Sequence, residues 1–360
     1  MSDNIEMQAK YENYQNIYPK SSNEQQLTLN MNNINIPNIN NNSLHIELSQ
    51  ISQNFFKVTI SEKEPSTQDI EKNIFEEDLK TIVDNLVDLY FQETNKGKEG
   101  RVRKKFVLDY LNNYKINLQE IYHWLLNNQT FSNSIYLLGY FNYQGIGVNI
   151  NMQNAFKLYK NAAELKNIAV QYDLANMYID GEGTDKDYEK AFELSKKLAE
   201  GKYTCGINLL GYCYEYNIGT AINEQKAFEF YQNAANLENM FGVYNLGRCY
   251  KNGFGTDVNK KKAFESFQKA TNLGNVYASY SLGRCYKKGF GTNVNKKKAF
   301  ELFQEPANTG YNMAQQNLAR MYEKGYGTEK NINMAIHWYK KSAEQGNEYS
   351  QNKLNQLLNE

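Results

Sequence analysis

Hydrophobic and small residues recur along the second half of the chain with a period of 36 residues. Counted within each period, position 3 is Leu, position 4 is Gly or Ala, and position 7 is mostly Tyr. Steps of three and four residues place these positions on one face of a helix, so the start of each period predicts an amphipathic helix. The six uninterrupted blocks begin at Tyr136, Tyr172, Asn208, Tyr244, Tyr280 and Gln316.

Each block then carries a glycine turn and a second helical stretch. Most blocks have a G-x-G pair after the first predicted helix, where glycine supplies a left-handed cap without a Cβ penalty. The second stretch has Ala at position 20, usually with an aromatic residue four positions later. Small residues facing large ones let two helices pack closely. The structural positions that mark this hairpin are Gly253, Gly255, Gly289, Gly291, Gly325, Gly327, Ala263, Ala299 and Ala335.

These hairpins predict an all-α solenoid. One hairpin cannot bury its apolar face alone, so neighbouring blocks must stack. We expect the array to span residues 132–360, with residues 352–360 as a C-terminal capping helix because they repeat the first half of a block. In block five, Pro306 lacks the N–H that would bond the carbonyl of Leu302, which predicts a kink or an early end of the second helix.

The chain before the array divides into two parts. Residues 1–65 are rich in Asn and almost aperiodic, which predicts a disordered tail. Asn-rich tracts can also stack as cross-β structure, so self-assembly through this tail is an alternative. Residues 66–131 have an apolar period of 3.6 and predict helices that cap the first hairpin, in preference to an independent functional domain.

The block pattern resembles a known family. L-G-x-x-Y-x-x-G-x-G followed by A-x-x-x-[WY]-x-x-A-A is similar to the Sel1-like repeat, a relative of the tetratricopeptide repeats, and the last three blocks fit best. The resemblance covers about residues 132–360 and implies protein–protein scaffolding on a curved surface. Residues 81–148 also resemble a segment of large fungal expansions, in which such arrays often follow a protein-kinase-like domain.

Composition excludes several classes of protein. The 360 residues include 40 basic and 40 acidic side chains, so no overall field draws the chain to nucleic acid or to an anionic membrane. No run approaches the ~18 apolar residues of a membrane span, and the N-terminus lacks the apolar region of a signal peptide. The four cysteines are too few for a disulfide scaffold, so the sequence predicts a cytoplasmic protein.

No catalytic, cofactor or metal-binding set emerges from the sequence. The three histidines are scattered, and three of the four cysteines share one block position, which suits buried small apolar residues. The G-x-G pairs lack the strand and third glycine of a dinucleotide loop, and no phosphate-loop, nucleophile-elbow or kinase motif occurs. We therefore predict a protein that is not an enzyme and that uses no cofactor, metal or small-molecule substrate.

Charge is nevertheless concentrated locally. Blocks four and five each carry a net charge of +4, and Arg248, Arg284 and Arg320 share position 5, where equivalent residues of a solenoid align as a ladder. This ladder indicates either a solvated face or a groove for an acidic or phosphorylated protein segment, with nucleic acid less favoured. The predicted partner-binding residues are Arg248, Lys251, Arg284, Lys287, Lys288 and Arg320.

Two functions follow from these features. The leading hypothesis is a non-enzymatic scaffold or adaptor that binds partner segments along the concave face of the solenoid. The alternative, which rests on the resemblance of residues 81–148, is a regulatory partner or kinase-domain-lacking relative of a Sel1-repeat protein kinase. In that case the chain would act in signalling and a protein kinase would be among its partners.

Overall fold

A computed structural model describes residues 67–359 as a chain of helices, and no strand occurs in that range. The all-α prediction is therefore confirmed. The predicted disordered tail, residues 1–65, lies outside the described residues. The sixteen helices are α1 (Thr67–Asn95), α2 (Gly100–Asn113), α3 (Leu118–Asn127), α4 (Ser132–Gln144), α5 (Met152–Glu164), α6 (Ala169–Asp180), α7 (Tyr188–Glu200), α8 (Thr204–Tyr216), α9 (Glu224–Asn236), α10 (Met240–Asn252), α11 (Lys260–Asn272), α12 (Val276–Lys288), α13 (Lys296–Asn308), α14 (Asn312–Lys324), α15 (Ile332–Ala343) and α16 (Glu348–Leu358).

Helices α4 to α15 form six consecutive pairs, called repeats one to six below. Each helix from α4 onward packs against the next one along the chain, as the predicted solenoid requires. Helix α16 follows repeat six, and its Leu354 and Leu357 pack against the buried cluster of that repeat. Residues 80–359 belong to one compact unit.

The core of each repeat follows the positions that the sequence singles out. Ala at position 20 is fully buried in all six blocks. The glycine at position 4 faces the aromatic ring at position 24 of its own block: a Cβ built on Gly247 would lie 2.8 Å from the Phe267 ring. Gly283 meets Phe303 in the same way, at 2.7 Å. The close contact at position 4 is thus made by a ring of the second helix.

The turn between the two helices is fixed at both ends. In every repeat the first helix ends on a left-handed residue, which is Gly in five repeats and Asn217 in repeat three. The second helix begins at an Asn or Asp whose side-chain oxygen accepts from a backbone N–H three residues later, as Asn259 does from Lys262. The backbone N–H of Asn259 in turn donates to the Tyr250 carbonyl at 2.8 Å. This cap satisfies a helix-start donor and holds the turn in place.

Pro306 does not shorten its helix. Helix α13 extends to Asn308 and has the same length as α11, so the expected early end is wrong. The proline stands at the position that holds Ala234 and Ala270 in the preceding blocks, and like them it is buried. Its compact ring takes the place of a small side chain in this part of the core.

None of the helices between residues 67 and 359 is both long enough and apolar enough to cross a membrane.

Candidate functional site

The first helices of repeats one and two contact the segment before the array. The Tyr90 ring of α1 packs edge-on against Tyr140 of α4, with 4.8 Å between ring centroids. Asn133 donates to Asp84 Oδ1 at 2.8 Å, and Lys104 of α2 donates to the Gln144 carbonyl at 2.8 Å. The region predicted to cap the first hairpin therefore lies against it, and its contacts continue into the next repeat.

A buried arginine joins this segment to repeats one and two. Arg103 Nη1 donates to Tyr90 OH and lies 3.4 Å from Asp173 Oδ1, while Asp173 Oδ2 accepts from Tyr136 OH at 2.6 Å. The side chains of Arg103 and Asp173 are only 12% and 15% exposed. This pair could not be predicted from the sequence, because nothing in the block pattern links residue 103 to residue 173.

The predicted ladder begins with an internal ion pair. Arg248 at position 5 of block four lies 2.8 Å from Glu215 at position 8 of block three, and it also donates to Tyr216 OH. Glu215 in turn accepts from Tyr231 OH at 2.7 Å. Arg248 thus belongs to the junction between two repeats, and its predicted role in partner binding stays a prediction.

The next two junctions place like charges at the same two positions. Lys251 replaces the acid at position 8 and is repelled by Arg284, and Lys287 does so one repeat later and is repelled by Arg320. Burial, followed by Arg284, lowers the pKa of Lys251 below its usual value. Burial, followed by Arg320, lowers the pKa of Lys287 in the same way.

The aromatic position 24 changes together with position 8. Where position 8 is Glu215 or Glu323, position 24 is a tyrosine whose hydroxyl donates to that carboxylate. Where position 8 is lysine, position 24 is Phe267 or Phe303, which offers no hydroxyl. Blocks four and five have therefore exchanged a buried acid–tyrosine contact for a half-buried cation.

Five of the six predicted partner-binding residues lie together on the first helices of repeats four to six. We call them the basic surface. Lys287 Nζ donates to Asn317 Oδ1 at 2.7 Å, and the Arg284 guanidinium lies 5.8 Å from the Tyr280 ring centroid. The side chains of Lys288 and Arg320 are exposed. The basic surface consists of Lys251, Arg284, Lys287, Lys288 and Arg320.

The lysine triplets that open the second helices of repeats four and five are a separate feature. The last lysine of each triplet lies over the tyrosine at position 7, with Lys262 5.1 Å from the Tyr250 centroid and Lys298 5.2 Å from Tyr286. The first lysine reaches an aromatic residue of the next repeat, as Lys296 does with Tyr326 at 4.2 Å. Cation–π contacts thus give these lysines a packing role that their position at a helix start does not suggest.

The thiols of the array are buried. All four cysteines are free, and among the described residues no cluster of His, Cys, Asp or Glu is suited to hold a metal ion. Burial raises the pKa of Cys205, Cys213 and Cys249 to about 12, and that of Cys285 to about 11. These values suit small apolar core residues rather than nucleophiles.

We expect the folded protein to resist alkylation by iodoacetamide at pH 8, because only the thiolate reacts and its fraction at that pH is about 10⁻³ or less. Intact-mass spectrometry after an hour should show fewer than one adduct per chain. In denaturant all four thiols should react within minutes. Rapid labelling of the folded chain at Cys285, the least shifted of the four, would contradict the buried placement.

The Sel1 repeat model matches six successive segments of this chain. The matched residues are 132–167, 168–203, 206–239, 242–275, 276–307 and 312–347.

Two solved structures have a similar fold. A Sel1 repeat protein from Oxalobacter formigenes is 26% identical, with a TM-score of 0.56 over 64% of this chain and 93% of that chain. A protective antigen of uropathogenic Escherichia coli with an SLR fold is 25% identical, with a TM-score of 0.50 over 78% of this chain and 66% of that one. No curated protein matches the chain significantly.

Proposed function

Because this chain belongs to the Sel1 repeat family, whose solenoids commonly serve as protein-interaction scaffolds, we propose that it is a non-enzymatic scaffold for an acidic or phosphorylated protein segment. The segment binds along the basic surface of repeats four to six. Members of this family are generally non-catalytic, which agrees with the absence of catalytic motifs in the sequence.

The observation that carries this proposal is the change of sign at the repeat junctions. The junction of repeats three and four holds the Glu215–Arg248 ion pair, whereas the next two junctions set Lys251 against Arg284 and Lys287 against Arg320. Like charges at close range destabilise the folded chain. An anionic ligand placed between them removes that repulsion and gains charge-assisted hydrogen bonds.

Two further features of the first helices favour repeats four to six as the binding site. In repeats one and two, Tyr136 and Asp173 already contact α1 and α2 of the same chain. The last turns of α10 and α12 carry Lys251, Lys287 and Lys288, where the helix dipole favours cations. A rigid row of cations at these helix ends is suited to an extended acidic segment, which docks with little rearrangement.

The variant Lys251→Glu/Lys287→Glu is expected to change stability and binding in opposite directions. It recreates at both junctions the charge pattern of Glu215 and Arg248, so the free energy of unfolding should rise by about 1 kcal/mol. The same change removes the cations that hold the ligand. Binding of a fluorescent octaglutamate peptide and of its bis-phosphoserine counterpart should weaken at least tenfold in an anisotropy titration.

The matched control is Lys261→Glu/Lys297→Glu, which makes the same change in net charge at exposed positions of the second helices. It should bind both probes within about twofold of the unmodified chain at equal salt. If both double variants lose affinity equally, only net charge matters, and the basic surface is not the binding site.

The second candidate function is regulation of a protein kinase. The resemblance of residues 81–148 to segments found in kinase-linked arrays favours it, and a phosphorylated ligand would fit both candidates. Co-purification of a kinase with the unmodified chain, and loss of that kinase with Lys251→Glu/Lys287→Glu, would be the expected result. A kinase that remains bound to this variant would show that kinase binding does not use the basic surface.

A further inference from the structure

The residues that join α1 to α2 reach three further repeats. Residues 95–99, called the latch below, lie against the N-terminal ends of α8, α10 and α12. The Asn95 carbonyl accepts from Thr204 Oγ1 and, at 2.8 Å, from Asn239 Nδ2. Asn95 Oδ1 lies 3.4 Å from the backbone N–H of Cys205.

The same pattern continues at the next two repeats. The Met240 N–H donates to the Lys96 carbonyl at 2.9 Å, and the Val276 N–H donates to Glu99 Oε1 at 3.4 Å. Lys98 Nζ donates to the carbonyl of Leu273 at 2.9 Å. Backbone N–H groups in the first turn of a helix have no partner within it, so they take acceptors from outside.

The latch fits this row of helix ends closely at one point. Gly97 has a φ of +76°, and a Cβ built on it would lie 3.0 Å from the Asn239 side chain. Gly100, three residues later, would place a Cβ in open space. Replacing Gly97 with Ala should therefore disturb the contact between the latch and Asn239, whereas replacing Gly100 with Ala should not.

The row of helix ends keeps one unmet donor. Asn239 and Asn275 are equivalent caps of α10 and α12, and each side-chain oxygen accepts from a backbone N–H three residues on. Asn239 Nδ2 donates to Asn95, but Asn275 Nδ2 is completely buried without a partner. A buried amide without an acceptor destabilises the fold. At repeat five the latch therefore offers no acceptor to Asn275 Nδ2, and the carbonyl group of a ligand could provide one.

We propose that the N-terminal ends of α8, α10 and α12 form a binding site for an extended protein segment that carries one carboxylate, which the latch occupies until such a segment displaces it. The incoming segment gives one carbonyl to Asn239, a second to Asn275, and a carboxylate to the Val276 N–H. This site goes beyond the function proposed above, since it lies at the opposite ends of the first helices from Lys251, Lys287 and Lys288.

Glu99 is held in the site against a penalty. Burial raises the pKa of its carboxyl group, while Arg101 and the Val276 N–H lower it less strongly. Arg101 Nε pairs with the other carboxylate oxygen, Glu99 Oε2, at 3.0 Å, so both oxygens of Glu99 have a partner. The latch makes six hydrogen bonds to the array but leaves Asn275 Nδ2 without an acceptor, so a ligand that supplies one gains a contact that the latch lacks.

The test uses the full-length chain and a labelled peptide of residues 84–104. In the variant Gly97→Ala/Glu99→Ala the latch should be displaced, so the peptide should bind at least tenfold more tightly than it does to the unmodified chain. Its counterpart with Glu99→Lys should bind at least tenfold more weakly to that variant. Gly100→Ala is the matched control and should behave like the unmodified chain.

Amide hydrogen exchange checks the site itself. The amides of Cys205, Met240 and Val276 should exchange faster in the double variant and regain protection with the peptide, while α14 stays unchanged. If the double variant unfolds, Glu99→Lys alone provides the same comparison. Equal peptide affinity for the unmodified chain and the variant would overturn the proposal. So would protection of the three amides only in a concentration-dependent dimer, which would assign the site to a second copy.

Discussion

Replacing Gly255 with Ala should lower the free energy of unfolding by about 3 kcal/mol or more. Gly255 has a φ of +63°, and a Cβ built on it would lie 2.1 Å from the carbonyl oxygen of Glu224 in the preceding repeat. A left-handed conformation is unfavourable by about 1–2 kcal/mol for a residue with a Cβ. The clash with backbone adds about 1–3 kcal/mol, because a carbonyl cannot rotate away as a side chain can. Denaturant unfolding followed by circular dichroism measures the loss.

The matched control is the first glycine of the same pair. A Cβ on Gly253 would lie 3.0 Å from a methyl group of Val258, which can move, and repeat three already holds Asn217 at this position with a φ of +59°. Gly253→Asn should therefore destabilise by no more than about 1 kcal/mol. Equal losses at Gly253 and Gly255 would contradict the close packing of the second glycine against the preceding repeat.

Replacing Arg103 with Leu should destabilise the chain by about 3–5 kcal/mol. The change leaves Asp173 buried with Tyr136 OH as its remaining hydrogen-bond partner, and an uncompensated buried charge costs about that much. It also removes the bond between Arg103 and Tyr90 that holds α1 and α2 together. Amide exchange in residues 84–95 should become faster along with the loss of global stability.

Lys105→Leu provides the control for this prediction. Lys105 lies in the same helix and is exposed, so its replacement should change stability by no more than about 0.5 kcal/mol. A loss for Arg103→Leu that the Lys105 variant reproduces would trace the effect to helix α2 in general. The loss of the ion pair between Arg103 and Asp173 would then not be the cause of the destabilisation.

The repeat core was predictable because each of its contacts lies within one period. Gly at position 4 and the ring at position 24 of the same block belong to one hairpin, as Gly247 and Phe267 show. The Asn or Asp caps of the second helices, such as Asn259 and Asn295, also recur at a spacing of 36 residues, but they were not predicted. Their signal is local, since an Asx residue before an apolar period is a helix-start signature.

The alignment of the three arginines was predicted, but the ion-pair partner of Arg248 was not. The block pattern aligned Arg248, Arg284 and Arg320, and the structure separates the first, which bonds Glu215, from the other two. The signal was present in the sequence as the change from Glu215 to Lys251 at position 8. The meaning of this change depends on the contact between position 8 of one block and position 5 of the next, which the sequence alone does not give.

The contacts of α1, α2 and the latch could not be predicted. Arg103 meets Asp173, and Lys98 meets Leu273, across 70 and 175 residues of chain. Residues 81–104 do not share the period of the array, so no alignment of blocks brings their partners together. Apolar periodicity gives the helices of this region, but only the folded chain shows which face of the array they contact.

We expect the like-charge junctions of repeats four to six to hold an acidic partner segment. Amide hydrogen exchange with and without the bis-phosphoserine octapeptide tests it most directly, because it locates the ligand on the intact chain. Exchange should become slower in residues 248–252, 284–288 and 317–321, with no change in residues 136–144. Protection confined to the lysine triplets at residues 260–262 and 296–298, or to repeats one and two, would contradict it.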